Sequence, residues 1–102
     1  MNLKNLQKLK LLLEIYLNNM ELKYVIFNNA IPIIFPKAFT HKQVAEINNP
    51  LCNKVTSAGF CELGITGHET IRVDVYGRSS SLDLEPSIND KQVLEVLFNN
   101  KE

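Results

Sequence analysis

A chain of 102 residues, 45% apolar and 22% charged, has the length and composition of one globular domain. Eleven basic side chains balance eleven acidic ones, so the positive excess that phosphate-backbone binding requires is missing and a nucleic-acid polymer is not the expected partner. Two cysteines, with neither a C-x-x-C pair nor a secretory signal, read as reduced thiols in a cytoplasmic protein without a membrane anchor.

The charge is polarised along the chain. Residues 1–42 hold six Lys against two Glu, and residues 43–102 hold five basic against nine acidic side chains. That asymmetry suits head-to-tail association or a local basic patch, and equally two solvated faces.

Residues 3–17 predict a helix. Leu6, Leu9, Leu13, Leu17 and Met20 recur at three- and four-residue steps, while Lys4, Lys8 and Glu14 lie elsewhere on the wheel. Leu11 and Leu12 widen the apolar stripe beyond what one small sheet needs, so this helix is expected to lie in the core or to meet a second chain. It is read as a separable unit, residues 1–20, with an oligomerisation role. Met20 is a second candidate start, and residues 21–102 form the domain proper.

Leu22–Asn28 and Ile31–Phe35 are β-rich runs around Asn29-Ala30, a hairpin whose second strand Pro32 places at an edge or a bulge. A helix from Thr40 to Ile47 follows. Thr40 and Gln43 have capping-box spacing, Phe39 and Val44 staple spacing, and Asn48-Asn49-Pro50 is read as the stop.

Val55–Leu63, Ile71–Tyr76 and Ser79–Leu84 then predict a three-stranded meander, turning at Gly77-Arg78. In that register Arg72 faces Asp83, and Val73 faces Leu82 on the apolar side. Gly59 marks a bulge or a close backbone approach within its strand. Ser87 or Asn89 caps a last helix to about Asn99, with Ile88 and Val93 as a second staple and Val93, Val96 and Leu97 facing inward. The expected class is α+β: a small antiparallel sheet, an N-terminal hairpin plus the meander, packed with short helices.

Catalytic chemistry finds little support. Gly59, Gly64 and Gly67 lack the spacing and the strand–loop–helix setting of a phosphate loop. His41, His68, Cys52 and Cys61 lack zinc-ligand spacing, and Cys61 falls on the apolar face of its strand. No catalytic residue, metal or cofactor is assigned. His41 falls in the first turn of a capped helix, where free N–H groups favour anions; a solvent-facing imidazole is the plainer reading. Arg78 projects from a tight turn beside Ser79 and Ser81, and its planar fork suits phosphate or carboxylate. Thr56 and Ser57 add hydroxyls, and Phe60 or Tyr76 a stacking surface. An ordinary polar hairpin accounts for the same residues without a ligand.

The runs Ile34-Phe35-Pro36 with Thr40-His41, Val55-Thr56-Ser57-Ala58-Gly59-Phe60, and Val75-Tyr76-Gly77-Arg78-Ser79 with Ser81-Leu82 resemble a pattern in small proteins of phages and mobile elements. The resemblance spans about residues 24–98 and omits the first helix. Some small phage proteins are oligomeric sponges for nucleotide immune messengers of the host, and similarity to them would imply ligand capture without turnover. The resulting expectation is a non-enzymatic homo-oligomer that binds a small anionic ligand, a nucleotide signal, and so counters host defence. Its site would comprise Arg78, Ser79, Ser81, Thr56, Ser57, His41 and Tyr76. The competing expectation is a protein-interaction module, an inhibitor of a host enzyme or a virion accessory part, working through the Leu-rich helix or the sheet edge at Ile31–Phe35.

Overall fold

The computed structural model describes residues 21–52, 54–66 and 70–99. The expected helix over 3–17, the 1–20 unit, Gly67 and His68, and the side chain of Cys52 lie outside the described residues. Within them the elements are β1 (Glu21–Phe27), β2 (Ile31–Phe35), α1 (His41–Cys52), β3 (Val55–Ile65), β4 (Ile71–Tyr76) and α2 (Asp90–Asn99). The strands form one antiparallel sheet in the order β2-β1-β3-β4, which is the α+β architecture the sequence predicts.

Strand alternation gives the sheet two apolar faces. On one, Tyr24, Ile26, Cys61, Leu63, Ile71 and Val73 pack with Leu94 of α2. On the other, Val25, Phe27, Phe35 and Ala58 meet Val44 and Ala45 of α1. The continuous buried run Tyr24–Phe27 in β1 is the signature of a strand covered on both faces.

The hairpin turns where Asn28 and Asn29 both take left-handed backbone, φ 55° and 60°, a conformation Asn tolerates. Thr56 is the extra residue where the register shifts between Ile26 and Phe27. Its hydroxyl accepts from Asn29 N at 2.9 Å and donates to the Ile26 carbonyl at 3.2 Å, tying the loop to β3. With Ile26 turned toward β3, its partner Pro32 directs its backbone to the outer edge, where a missing N–H removes no ladder bond.

α1 begins with the predicted capping box. Thr40 N donates to Gln43 Oε1 at 2.8 Å, and Gln43 N to Thr40 Oγ1 at 3.0 Å. The helix then runs past Ile47 to Cys52: Pro50 lies in its last turn, where its missing N–H costs one bond and does not end the element.

The third strand of the expected meander is absent. Residues 79–84 close a tight loop in which Ser79 N donates to Leu84 O at 2.8 Å and Leu84 N to Ser79 O at 3.2 Å. Arg78 pairs with Asp83, and Arg72 with Asp74 of its own strand at 2.9 Å. Two causes act together. Ser79 Oγ takes Leu82 N at 3.2 Å and Asp83 adopts φ 54°, the local competition with strand structure for which Ser and Asp are known. The outer edge of β4 is also occupied, because α2 lends it side chains. Asn99 accepts from Ile71 N at 2.9 Å and donates to Ile71 O at 2.8 Å. Glu95 accepts from Val73 N at 3.0 Å and Lys91 donates to Val73 O at 2.6 Å. A further strand has nowhere to pair.

α2 buries Leu94, with Val93 and Phe98 packed beside it. Val96 and Leu97 face outward and Ile88 is 95% exposed, so the second staple does not form.

Candidate functional site

The structure separates the seven predicted site residues into three places. Thr56 serves the hairpin bulge. Ser57, 2% exposed, donates to Asp90 Oδ1 at 2.9 Å inside the core. The other five lie around the start of α1 and the end of β4.

His41 is not solvent-facing. It is 3% exposed, with its ring edge-on to Phe35 and to Phe60 at 5.5 Å in each case. Its Nε2 lies 2.8 Å from the Gly59 carbonyl, an acceptor only, so Nε2 carries the proton. Burial holds its pKa below the ordinary imidazole value, with the Gly59 bond opposing and Lys23 adding a smaller downward push. The imidazole is walled in between two rings and serves the packing. Two first-turn amides of α1 are likewise occupied: Lys42 N donates to Ser81 Oγ at 3.1 Å and Gln43 N to Thr40. Ser79 is fully buried and knits its own loop. Ser81, which is exposed, accepts from Lys42 N and so pins that loop to α1.

Tyr76 and Arg78 remain at the surface. Tyr76 is 39% exposed and its ring stacks on Phe60, 5.9 Å between centroids and 21° between planes. Lys23 Nζ sits 5.6 Å from the Phe60 centroid and donates to Phe39 O at 2.9 Å. Among the described residues Lys23 has no carboxylate within ion-pair distance. Gly77, φ 74°, lies so close over Phe60 that a Cβ there would meet its ring at 2.9 Å, which brings Arg78 to the rim. Arg72, Asp74 and Tyr76 alternate onto one face of β4, with the Arg72 guanidinium against the bare Cα of Gly64. These groups occupy the half of the sheet face that α1 leaves open: two stacked rings, the cations Lys23, Arg72 and Arg78, and the carboxylate of Asp74 paired with Arg72.

A second constellation escaped the sequence reading. The Asp90 carboxylate, 3% exposed, accepts from Tyr24 Oη at 2.6 Å, Ser57 Oγ at 2.9 Å and Ser87 N at 2.8 Å. Burial, and then the bond to Asp90, pushes the Tyr24 hydroxyl well above the ordinary phenol value, so it stays a donor. Ser87 and Asp90 have the spacing of a capping box closed by Asp, which was the available signal. Tyr24 and Ser57 join it only through the sheet register.

Among the described residues no group of three or more His, Cys, Asp and Glu side chains is placed to hold a metal ion. Burial pushes the Cys61 thiol up to about 12, which leaves it a packing group. No described helix is long and apolar enough to cross a membrane. No protein-family model, curated protein or solved structure matches the chain.

Proposed function

We propose that the chain is a binding protein that captures a small planar anion of the nucleotide class, without turning it over, on the open half of the sheet. One observation carries this reading: the exposed Tyr76 ring backed by Phe60, with the Lys23 ammonium 5.6 Å from the Phe60 centroid and free of any carboxylate among the described residues. Stacking a base on an aromatic ring contributes about 1–3 kcal/mol whatever the base, and a cation beside the stacked pair suits the phosphate. Arg78 is the second cation. Its pair with Asp83 is solvent-exposed and therefore cheap to exchange for a phosphate. The site is thus Tyr76, Phe60, Lys23 and Arg78, and the buried His41, Ser57 and Ser79 support it from behind or serve the core.

In this reading the chain acts as a homo-oligomer, since Leu11 and Leu12 exceed what one sheet face needs. The biological role that follows is withdrawal of a host nucleotide signal by a phage-encoded protein. Calorimetry of the purified chain against mono-, di- and cyclic nucleotides tests the site. Tyr76→Ala should weaken binding at least tenfold with an unchanged circular dichroism spectrum; unchanged affinity would remove Tyr76 from it.

The alternative, a protein-interaction module, draws on Ile88, 95% exposed ahead of α2. The sheet edges favour it less. α2 side chains take the outer backbone groups of Ile71 and Val73 in β4, and β2 carries Pro32 at its rim.

A further inference from the structure

On the half of the sheet that α1 leaves open, strand alternation puts Phe60 and Glu62 of β3 on one face with Lys23 and Glu21 of β1 and Tyr76 and Asp74 of β4. The register orders them in two rows. Lys23, Phe60 and Tyr76 lie level with one another, and Glu21, Glu62 and Asp74 form the next row, about 6.6 Å along the strands at 3.3 Å per residue. Arg78 follows Gly77 past the other side of the ring row. Glu62 is half-buried and has a carboxylate residue directly opposite on each side, an unfavourable arrangement unless the charges are met. Its neighbours are met: Glu21 pairs with Lys37, and Asp74 with Arg72 at 2.9 Å and Lys91 at 3.6 Å. Glu62 alone of the three has neither an ion pair nor a side-chain hydrogen bond among the described residues.

The surface is therefore polarised along the strands. Lys23 and Arg78 accompany the ring row, and an unpartnered acceptor lies one step behind it. A ligand that stacks on Tyr76 with its phosphate toward Lys23 or Arg78 must present hydrogen-bond donors at its other end. Given the nucleotide capture proposed above, on which this step rests, we infer that Glu62 reads the base and selects guanine. A carboxylate carries two acceptor oxygens and no donor. The Watson–Crick edge of guanine offers two adjacent donors, N1–H and the 2-amino group, which the two oxygens accept side by side. Adenine and cytosine set one amino donor beside an acceptor nitrogen, and uracil sets one N–H between two carbonyls. Each of those three turns a lone pair toward the carboxylate.

Calorimetry of the full-length chain against the 5′-monophosphates of guanosine, inosine, adenosine, cytidine and uridine tests this, because the phosphate end is the same in all of them. GMP should bind about tenfold or more tighter than AMP, CMP and UMP, the scale of one good bidentate contact. IMP, which lacks the 2-amino group, should fall between, a readout that needs no variant. Glu62→Gln exchanges one acceptor for a donor. It should weaken GMP about tenfold and move the order toward AMP, whose amino donor and N1 acceptor match a carboxamide, with an unchanged circular dichroism spectrum. Binding without base preference, or a guanine preference that survives Glu62→Gln, overturns the role of Glu62 and leaves capture standing. Failure of every monophosphate to bind overturns capture itself, and the selection with it.

Discussion

Replacing Asp90 by alanine is the most informative perturbation of the fold. The substitution removes the shared acceptor of Tyr24 Oη, Ser57 Oγ and Ser87 N. Tyr24 and Ser57 are 0% and 2% exposed, so water cannot replace the carboxylate without opening the core. A buried donor left unsatisfied costs roughly 1–3 kcal/mol, and loss of a helix cap about 1 kcal/mol. With two such donors these come to roughly 3–7 kcal/mol, a large part of the ~5–15 kcal/mol that stabilises a typical domain. Urea unfolding followed by far-UV circular dichroism should show a much lower midpoint with an unchanged slope. Tyr24→Phe should cost less, roughly 1–3 kcal/mol, because Asp90 keeps two donors. The double variant should fall short of the summed losses, because both changes remove one interaction. An Asp90→Ala midpoint equivalent to within about 0.5 kcal/mol of the parent, the range of ordinary surface substitutions, would refute the assignment of this network to the core.

Three further outcomes follow from the same geometry. His41 has a folded-state pKa below its unfolded value of about 6.5, so its contribution is fully present above that pH and declines as pH falls below it. Acid titrations of unfolding free energy should show the decline in the parent and a reduced slope in His41→Gln. Tyr24 and Cys61 are raised, so their contributions are fully present below their unfolded values and decline as pH rises past them. Stability should fall from about pH 8.5–10 upward, the range of ordinary Cys and Tyr values, and less steeply in Cys61→Ala at equal reference stability. Gly59→Ala would set a methyl 2.8 Å from Pro86 Cγ and 3.1 Å from the Tyr76 carbonyl; it should cost roughly 1–3 kcal/mol by overpacking, read as a lowered urea midpoint.

What the sequence made legible was local. The capping box at Thr40 and Gln43, the edge position of Pro32 and the close approach at Gly59 each rest on a few neighbouring residues, and the structure has all of them. The α+β class came from summing such signals. The error at Ser79–Leu84 is instructive because its alternation matched β4 residue for residue. Periodicity reports which face a residue would occupy if it were in a strand, and it is silent on whether an edge is free. That edge was taken by Lys91, Glu95 and Asn99 from an element later in the chain. Of the candidate site, Tyr76 and Arg78 were legible as turn-proximal aromatic and cation. The burial of His41, Ser57 and Ser79 was not legible, because polarity in a sequence does not distinguish a group reaching for a ligand from one satisfied inside the fold. Lys23 was missed because nothing within β1 signals that Phe60, two strands of sequence away, lies beneath its ammonium.

The central claim is capture of a nucleotide-sized anion without turnover, and native mass spectrometry of gently purified protein, followed by denaturation, tests it most directly. Expected is an oligomer carrying a discrete small-molecule mass that is released chemically intact, and the loss of that mass in Tyr76→Ala. An apo species that takes up nothing from a nucleotide panel, or a mass released only as cleaved products, would contradict it.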